Sequence, residues 1–227
     1  MTIYLAFDVY GTLVDPQGMA EHLADDVGDA ASAVSLLWRQ KQLEFSFRRG
    51  LMRVYAEFGI CTRQALQTAM QSYGFSLSRK REDELMKAYL SLPAFADAEP
   101  VLEELGRHHP QFAFSNGTHA ALKKVLGHSR LLDHLDGLVS VDDIKSFKPD
   151  PAVYTHARRA TGAMDQPLCL VSSNGWDVIG ARAAGLMAIW VQRDPATVFE
   201  DWGFQPSAII RDLYGLPEAL SELAANR

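Results

Sequence analysis

At 227 residues, with 48% hydrophobic and 22% charged side chains, the chain has the size of one α/β domain carrying an insertion, or of two modest domains, and it can bury a core. A formal net charge of −6 excludes a basic field for nucleic acid or an anionic membrane, so an anionic substrate would have to be held by a few local cations. No run is long enough to span a bilayer and no leader pattern opens the chain. Cys61 and Cys169 stand in no paired motif, so the expectation is a cytoplasmic, reducing setting without a disulfide framework or zinc site.

The first element, "IYLAFD", is a short apolar run that ends at Asp8. "QFAFSN" ends at Ser115 and Asn116, "LVSVD" leads to "FKPD", "LCLVSSN" ends at Asn174, and "LMAIWVQR" follows Gly185. Each has the length and apolar content of a buried strand, and helical patterns separate them, as in a doubly wound parallel sheet. In such sheets ligands sit beyond the carboxyl ends of the strands, where Asp8, Ser115, Lys148 and the Ser172–Asp177 cluster collect. Between about Asp15 and Asp97 no strand is evident. Helical periodicity dominates there, as in "AVSLLWRQKQLEFSFRRGLMRVYAEFG", and "SLPAFADAEP" (91–100) reads as a return linker. The expected domains are a core of residues 1–14 and 98–227 and a helical lid of residues 15–97. The tail "LYGLPEALSELAANR" reads as a closing helix. There is no internal repeat and no low-complexity segment.

Asp8 is the candidate nucleophile: a carboxylate at a strand tip, in a turn with free backbone N–H groups, can form an acyl intermediate. The competing reading is a turn cap. Gly11 permits a tight turn, and the Thr12 hydroxyl can hold an anion. Pro149 biases Lys148 to extended backbone, and Asp150 and Pro151 have the pattern of a helix cap and first position. A lysine on such a loop can be aimed back at Asp8, where it would favour the ionised carboxylate; the plain alternative is a solvated lysine. Asp177 in a first helical turn has a helix-dipole explanation, and Ser172 and Asn174 can be caps. Ser115 and Asn116 either bind an anion or turn the chain. Arg39, Gln40 and Leu43 share one side of a lid helix by their spacing. An arginine beside a leucine that seeks burial calls for an anion. His108 and His109 read as a surface loop. No P-loop, Gly-x-Ser-x-Gly elbow or dinucleotide fingerprint is present.

The runs "FDVYGTLVD", "LWRQKQLEF", "FSNG", "FKPDPAVY", "VSSNGWD" and "VFEDWG" resemble the haloacid dehalogenase superfamily, and within it the (S)-2-haloacid dehalogenases. The resemblance spans most of the chain. It implies an α/β fold with a Rossmann-like core and a cap inserted after the first strand. It also implies hydrolysis of (S)-2-haloalkanoic acids to (R)-2-hydroxyalkanoic acids through an ester on Asp8. Carried over by position, Arg39 and Asn174 would surround the leaving halide in a pocket with Tyr10, Gln40, Leu43, Phe58 and Trp176. Thr12, Ser115 and Asn116 resemble carboxylate-binding and site-shaping positions. Lys148, Tyr154, Ser172 and Asp177 resemble the set that holds the nucleophile and positions water, with Asp177 or Lys148 aiding the water's activation.

Superfamily phosphatases carry a second Asp where this chain has Tyr10, because an alkoxide leaving group needs a proton. Halides leave without one and need hydrogen-bond donors instead. With a carboxylate substrate and Lys148 and Arg39 as counter-charge, the resemblance implies no metal and no cofactor. The expected partner is a small 2-halocarboxylate, with a homodimer as the family's common assembly. A superfamily phosphatase lacking its usual acid, and a non-catalytic scaffold, are the rival readings.

Overall fold

The computed structural model describes residues 2–225. Its centre is a six-stranded, wholly parallel sheet in the order β3-β2-β1-β4-β5-β6. The strands are β1 (Tyr4–Phe7), β2 (Gln111–Ser115), β3 (Gly137–Ser140), β4 (Leu168–Ser172), β5 (Met187–Val191) and β6 (Ala208–Ile210). The five expected strands are all present. β6 escaped the sequence reading because three residues on a sheet edge leave no periodic signature.

Strand alternation divides the core into two layers. Leu5 and Phe7 point to the side covered by α5 (Ala98–Leu105), α6 (His119–His128) and α9 (Leu216–Ala225), among Val101, Leu122 and Leu220. Ala6, Leu170 and Ala188 point to the other, against Val153, Tyr154 and Val178 of α7 (Pro151–Ala160) and α8 (Gly175–Ala183). Full burial of such apolar side chains stabilises the fold by about 1.5–3 kcal/mol each. Cys169 lies in the first layer, and Cys61, on the inserted helical block, joins the apolar cluster of the second.

The chain runs outward from β1 through β2 to β3, then returns to β4 on the other side of β1. That reversal opens the crevice beyond the tips of β1, β2 and β4. Four helices fill the connection from β1 to β2 before α5: α1 (Met19–Val27), α2 (Ala31–Met52), α3 (Phe58–Ser72) and α4 (Arg79–Ala88). The chain segments entering and leaving this block are tied together, Asp15 N–H to Pro93 O at 3.0 Å and Phe95 N–H to Leu13 O at 2.9 Å. The long helical stretch read from residue 33 is in fact two helices. Arg53 takes a left-handed conformation (φ 56°) at the C-cap of α2, and α3 starts only at Phe58. The closing helix is present as α9; Asn226 and Arg227 of that tail lie outside the described residues. Among the described residues no helix is long and apolar enough to cross a membrane.

Candidate active site

β1 ends one residue before Asp8, whose N–H still donates to Val171 O of β4 at 3.0 Å. The chain then turns sharply through Gly11 (φ 89°), a conformation that glycine adopts without cost. N–H groups of Gly11, Thr12, Leu13 and Val14 are spent inside this turn. Those of Val9 and Tyr10 meet no acceptor among the described residues. The free donors expected beside Asp8 are therefore these two.

Asp8 is buried, and three side chains reach its carboxylate. Thr12 Oγ1 donates to Oδ2 at 3.0 Å, Asn174 Nδ2 donates to Oδ2 at 2.8 Å, and Lys148 Nζ donates to Oδ1 at 3.2 Å. The anion that the Thr12 hydroxyl holds is thus Asp8 itself. The Thr12 hydroxyl oxygen in turn accepts Ser173 N–H at 2.9 Å.

Lys148 is 1% exposed, which removes the solvated-lysine reading. Its remaining protons go to Asp177 Oδ2 (2.7 Å) and Phe114 O (2.8 Å), and the ammonium lies 4.1 Å from the Phe114 ring centre. Asp150 caps α7 through Ala152 N–H, as its pattern predicts. Asn116 Oδ1 accepts Lys148 N–H at 2.9 Å, so this residue fixes the lysine loop, while Ser115 Oγ accepts Gly117 N–H at 3.2 Å.

Asp177 is fully buried in the first turn of α8 and accepts Tyr154 Oη at 2.8 Å on Oδ1. Burial pushes its carboxyl up, against the pull of Lys148 and Tyr154 and with help from Asp8. Asn174 occupies the N-cap position, but its amide serves Asp8 and Tyr10 O (3.3 Å) instead of capping the helix. Ser172, fully buried at the tip of β4, accepts Asn174 N–H at 3.1 Å.

From the helical block, Arg39 donates to Tyr10 O at 3.3 Å and to Gln42 Oε1 at 2.6 Å. Arg39 and Asn174 therefore converge on one carbonyl, that of the residue two beyond Asp8. Two of the guanidinium's five N–H groups are used in this way, leaving three. Burial, with Tyr89 stacked on it at 5.2 Å, pushes the Tyr10 phenol far up, so it stays neutral.

Tyr10 and Phe58 line a cavity of about 430 Å³ with Tyr89 and Gly117. Arg39 and Asn174 line another of about 900 Å³. Trp176 packs edge-on to Phe47 at 5.1 Å beside Lys148. Leu43 is half-buried. Gln40 departs from its expected place: it is exposed, and the glutamine that faces inward is Gln42. The periodicity of α2 explains why, because its buried line runs through Val34, Trp38, Gln42 and Ser46.

Two residues went unnoticed in the sequence. Ser173 donates to Gly11 O at 2.7 Å and braces the turn. Arg193 reaches Thr12 O at 2.5 Å from a bridge to Asp97 at 2.6 Å. Ser173 could have been suspected from its neighbours in "SSNGWD"; Arg193 carried no local signal.

The arrangement brings two carboxylates, a buried ammonium and a guanidinium to one strand tip, with a neutral phenol two residues after Asp8. The haloacid dehalogenase-like hydrolase family profile matches residues 4–185. (S)-2-haloacid dehalogenase 4A of Burkholderia cepacia is 40% identical over 82% of this chain and 81% of its own. (S)-2-haloacid dehalogenase of Pseudomonas sp. (strain YL) is 36% identical over 98% and 96%. The structure of L-2-haloacid dehalogenase from Xanthobacter autotrophicus with chloropropionic acid covalently bound superposes with a TM-score of 0.92. It is 28% identical and covers 97% of this chain and 99% of that one. Overall fold and sequence agree, and the chain belongs to the haloacid dehalogenase-like hydrolase family.

Proposed function

We propose that this chain is a hydrolase of carbon–halogen bonds that converts (S)-2-halocarboxylates to (R)-2-hydroxycarboxylates, with the helical block of residues 15–97 serving as a cap over the strand tips. One observation carries the reading beyond the family: Asn174 joins Asp8 Oδ2 to Tyr10 O, and Arg39 sits on that same carbonyl. A cation with unused donors thereby stands beside a buried nucleophile.

In the first step an Asp8 oxygen attacks the 2-carbon from the side opposite the halogen, a C–O bond forms and halide departs with the bonding pair. Arg39 supplies donors where that charge develops. The free N–H groups of Val9 and Tyr10 are placed to receive the substrate carboxylate, and Phe58 and Tyr10 supply apolar wall. The neutral phenol is compatible with this step because halide takes no proton.

In the second step water attacks the ester carbonyl carbon of Asp8. On collapse the bond to the alcohol oxygen breaks, that oxygen leaves as the 2-hydroxy acid carrying the proton that water gave up, and the acid proton of the restored Asp8 carboxyl passes to solvent. All three protons of Lys148 are committed, to Asp8, Phe114 O and Asp177. The proton released by water is therefore assigned to Asp177, whose raised pKa favours accepting it. The reading carries with it a cytoplasmic setting and a homodimeric assembly.

Halide release from (R)- and (S)-2-chloropropionate, with chiral analysis of the product, tests the assignment. Turnover of the (S) substrate alone, giving (R)-lactate, is expected. Phosphate-ester hydrolysis without dehalogenation overturns it.

A further inference from the structure

Gln42 is a polar residue at a position where the helix would accept a leucine. It is fully buried on the line of α2 that packs toward α3. Each atom of its amide is nevertheless spoken for. Oε1 accepts Arg39 Nη1 at 2.6 Å and Tyr89 Oη at 3.0 Å, and Nε2 donates to Thr62 Oγ1 at 2.6 Å.

The partners also settle which way the amide faces. The Thr62 hydroxyl has one proton, which goes to Phe58 O at 2.9 Å. Its oxygen can then only accept from Gln42, so Nε2 must face Thr62 and Oε1 must face Arg39. Trp38 Nε1 donates to Thr62 O at 2.8 Å and fixes the same turn of α3. Tyr89, the second donor to Oε1, stacks on Tyr10. A polar network in which each buried amide and hydroxyl atom has a partner favours a single arrangement in a dry setting, whereas an apolar packing of equal volume is often as stable. Two members of this network reach the strand tips, Tyr89 by stacking on the Tyr10 ring and Arg39 by donating to the Tyr10 carbonyl.

We infer that Gln42, oriented by Thr62, is the positioning residue that holds the Arg39 guanidinium over the Tyr10 carbonyl, aimed at the departing halide. The inference rests on the dehalogenase reading and names a part of its machinery. Gln42 acts through Arg39 and touches no reacting atom. Without it the guanidinium keeps its charge but loses a fixed direction. Chloride, the poorer leaving group, should suffer more from that loss than bromide.

The test is single-turnover halide release from (S)-2-chloro- and (S)-2-bromopropionate by Gln42→Met, Thr62→Val and Thr62→Ser proteins, with Gln42→Met repeated in an Arg39→Ala background. Loss of one charge-assisted hydrogen bond corresponds to about a ten- to hundredfold slower chloride release. We expect that loss in Gln42→Met and Thr62→Val, with a smaller loss for bromide, near-parent rates in Thr62→Ser, and no further loss from Gln42→Met once Arg39 is gone. The chloride-to-bromide ratio does not depend on how much of a variant is folded. An unchanged ratio, or an equal loss in both backgrounds, overturns the inference. An Arg39→Ala protein that releases halide at the parent rate overturns the role given to Arg39, and this inference with it.

Discussion

Lys148 Nζ is 2.7 Å from Asp177 Oδ2 but 3.2 Å from Asp8 Oδ1, so the lysine is held more closely by Asp177 than by Asp8. Tyr154 holds Asp177 from the far side, and Asn116 holds the lysine's own backbone. The ammonium is thus placed before any substrate arrives.

Removing that ammonium leaves two buried carboxylates without their shared cation. Lys148→Met is expected to lose stability by about 3–5 kcal/mol, the usual cost of breaking a buried ion pair from one side. Asp177→Asn keeps the Lys148–Asp8 pair and should lose less stability, while ester hydrolysis slows. Urea unfolding of both at pH 7 measures the difference; a Lys148→Met protein as stable as the parent would refute the placement.

The raised pKa of Asp177 has consequences of defined sign. As proton acceptor it must be ionised, so kcat should fall toward acid with a midpoint above the ordinary carboxylate range. For stability the sign is opposite. Between its unfolded and folded pKa values the folded state binds more protons, so this group's contribution declines as pH rises through that window. Asp177→Asn should abolish that decline, and unfolding free energies across pH 4–8, about the span between carboxylate and histidine titrations, provide the check.

Tyr10→Phe should retain dehalogenation within about tenfold, because the phenol proton enters no step, and general acid help of the kind it forgoes is worth about 10²–10⁴-fold where it is used. Arg39 and Asn174 bind the Tyr10 backbone carbonyl, which survives the change. A collapse of kcat in the phenylalanine variant would show that the hydroxyl takes part after all.

Gly180 lies under the Asp177–Tyr154 contact. A Cβ there would run into Tyr154 Oη and come within 2.6 Å of Pro149 Cβ. Gly180→Ala should therefore destabilise the fold by about 1–3 kcal/mol and shift the acid limb of the kcat profile by disturbing Tyr154. Thermal melts and that profile test it together.

Much of the site was legible because strand tips are local events. Asp8, Ser115, Asn116 and Asn174 each follow an apolar run, and a parallel sheet gathers such tips at one edge. Asp150 and Pro151 marked the start of α7 by cap chemistry alone. The helical block resisted more. In "WRQKQ" the spacing of Arg39, Gln40 and Leu43 suggested a shared face, yet Gln42 is the glutamine that turns inward. Three- and four-residue spacings describe a broad stripe, and the docking of α2 on Thr62 of α3 selects the line within it. The Arg193 contact with Thr12 O spans 181 residues, and no local pattern encodes such a pairing.

The amino-acid order by itself determined a parallel α/β sheet, a helical insertion after its first strand, and a carboxylate, an ammonium and an amide at the strand tips, because hydrophobic period and turn chemistry act over a few residues. Only the tertiary structure decided that Lys148 is shared between Asp8 and Asp177, that the Asn174 side chain bonds Asp8 without capping its helix, and that Gln42 bonds Arg39. Those outcomes depend on which buried polar groups find one another once water is excluded, and that pairing exists only when distant segments have packed.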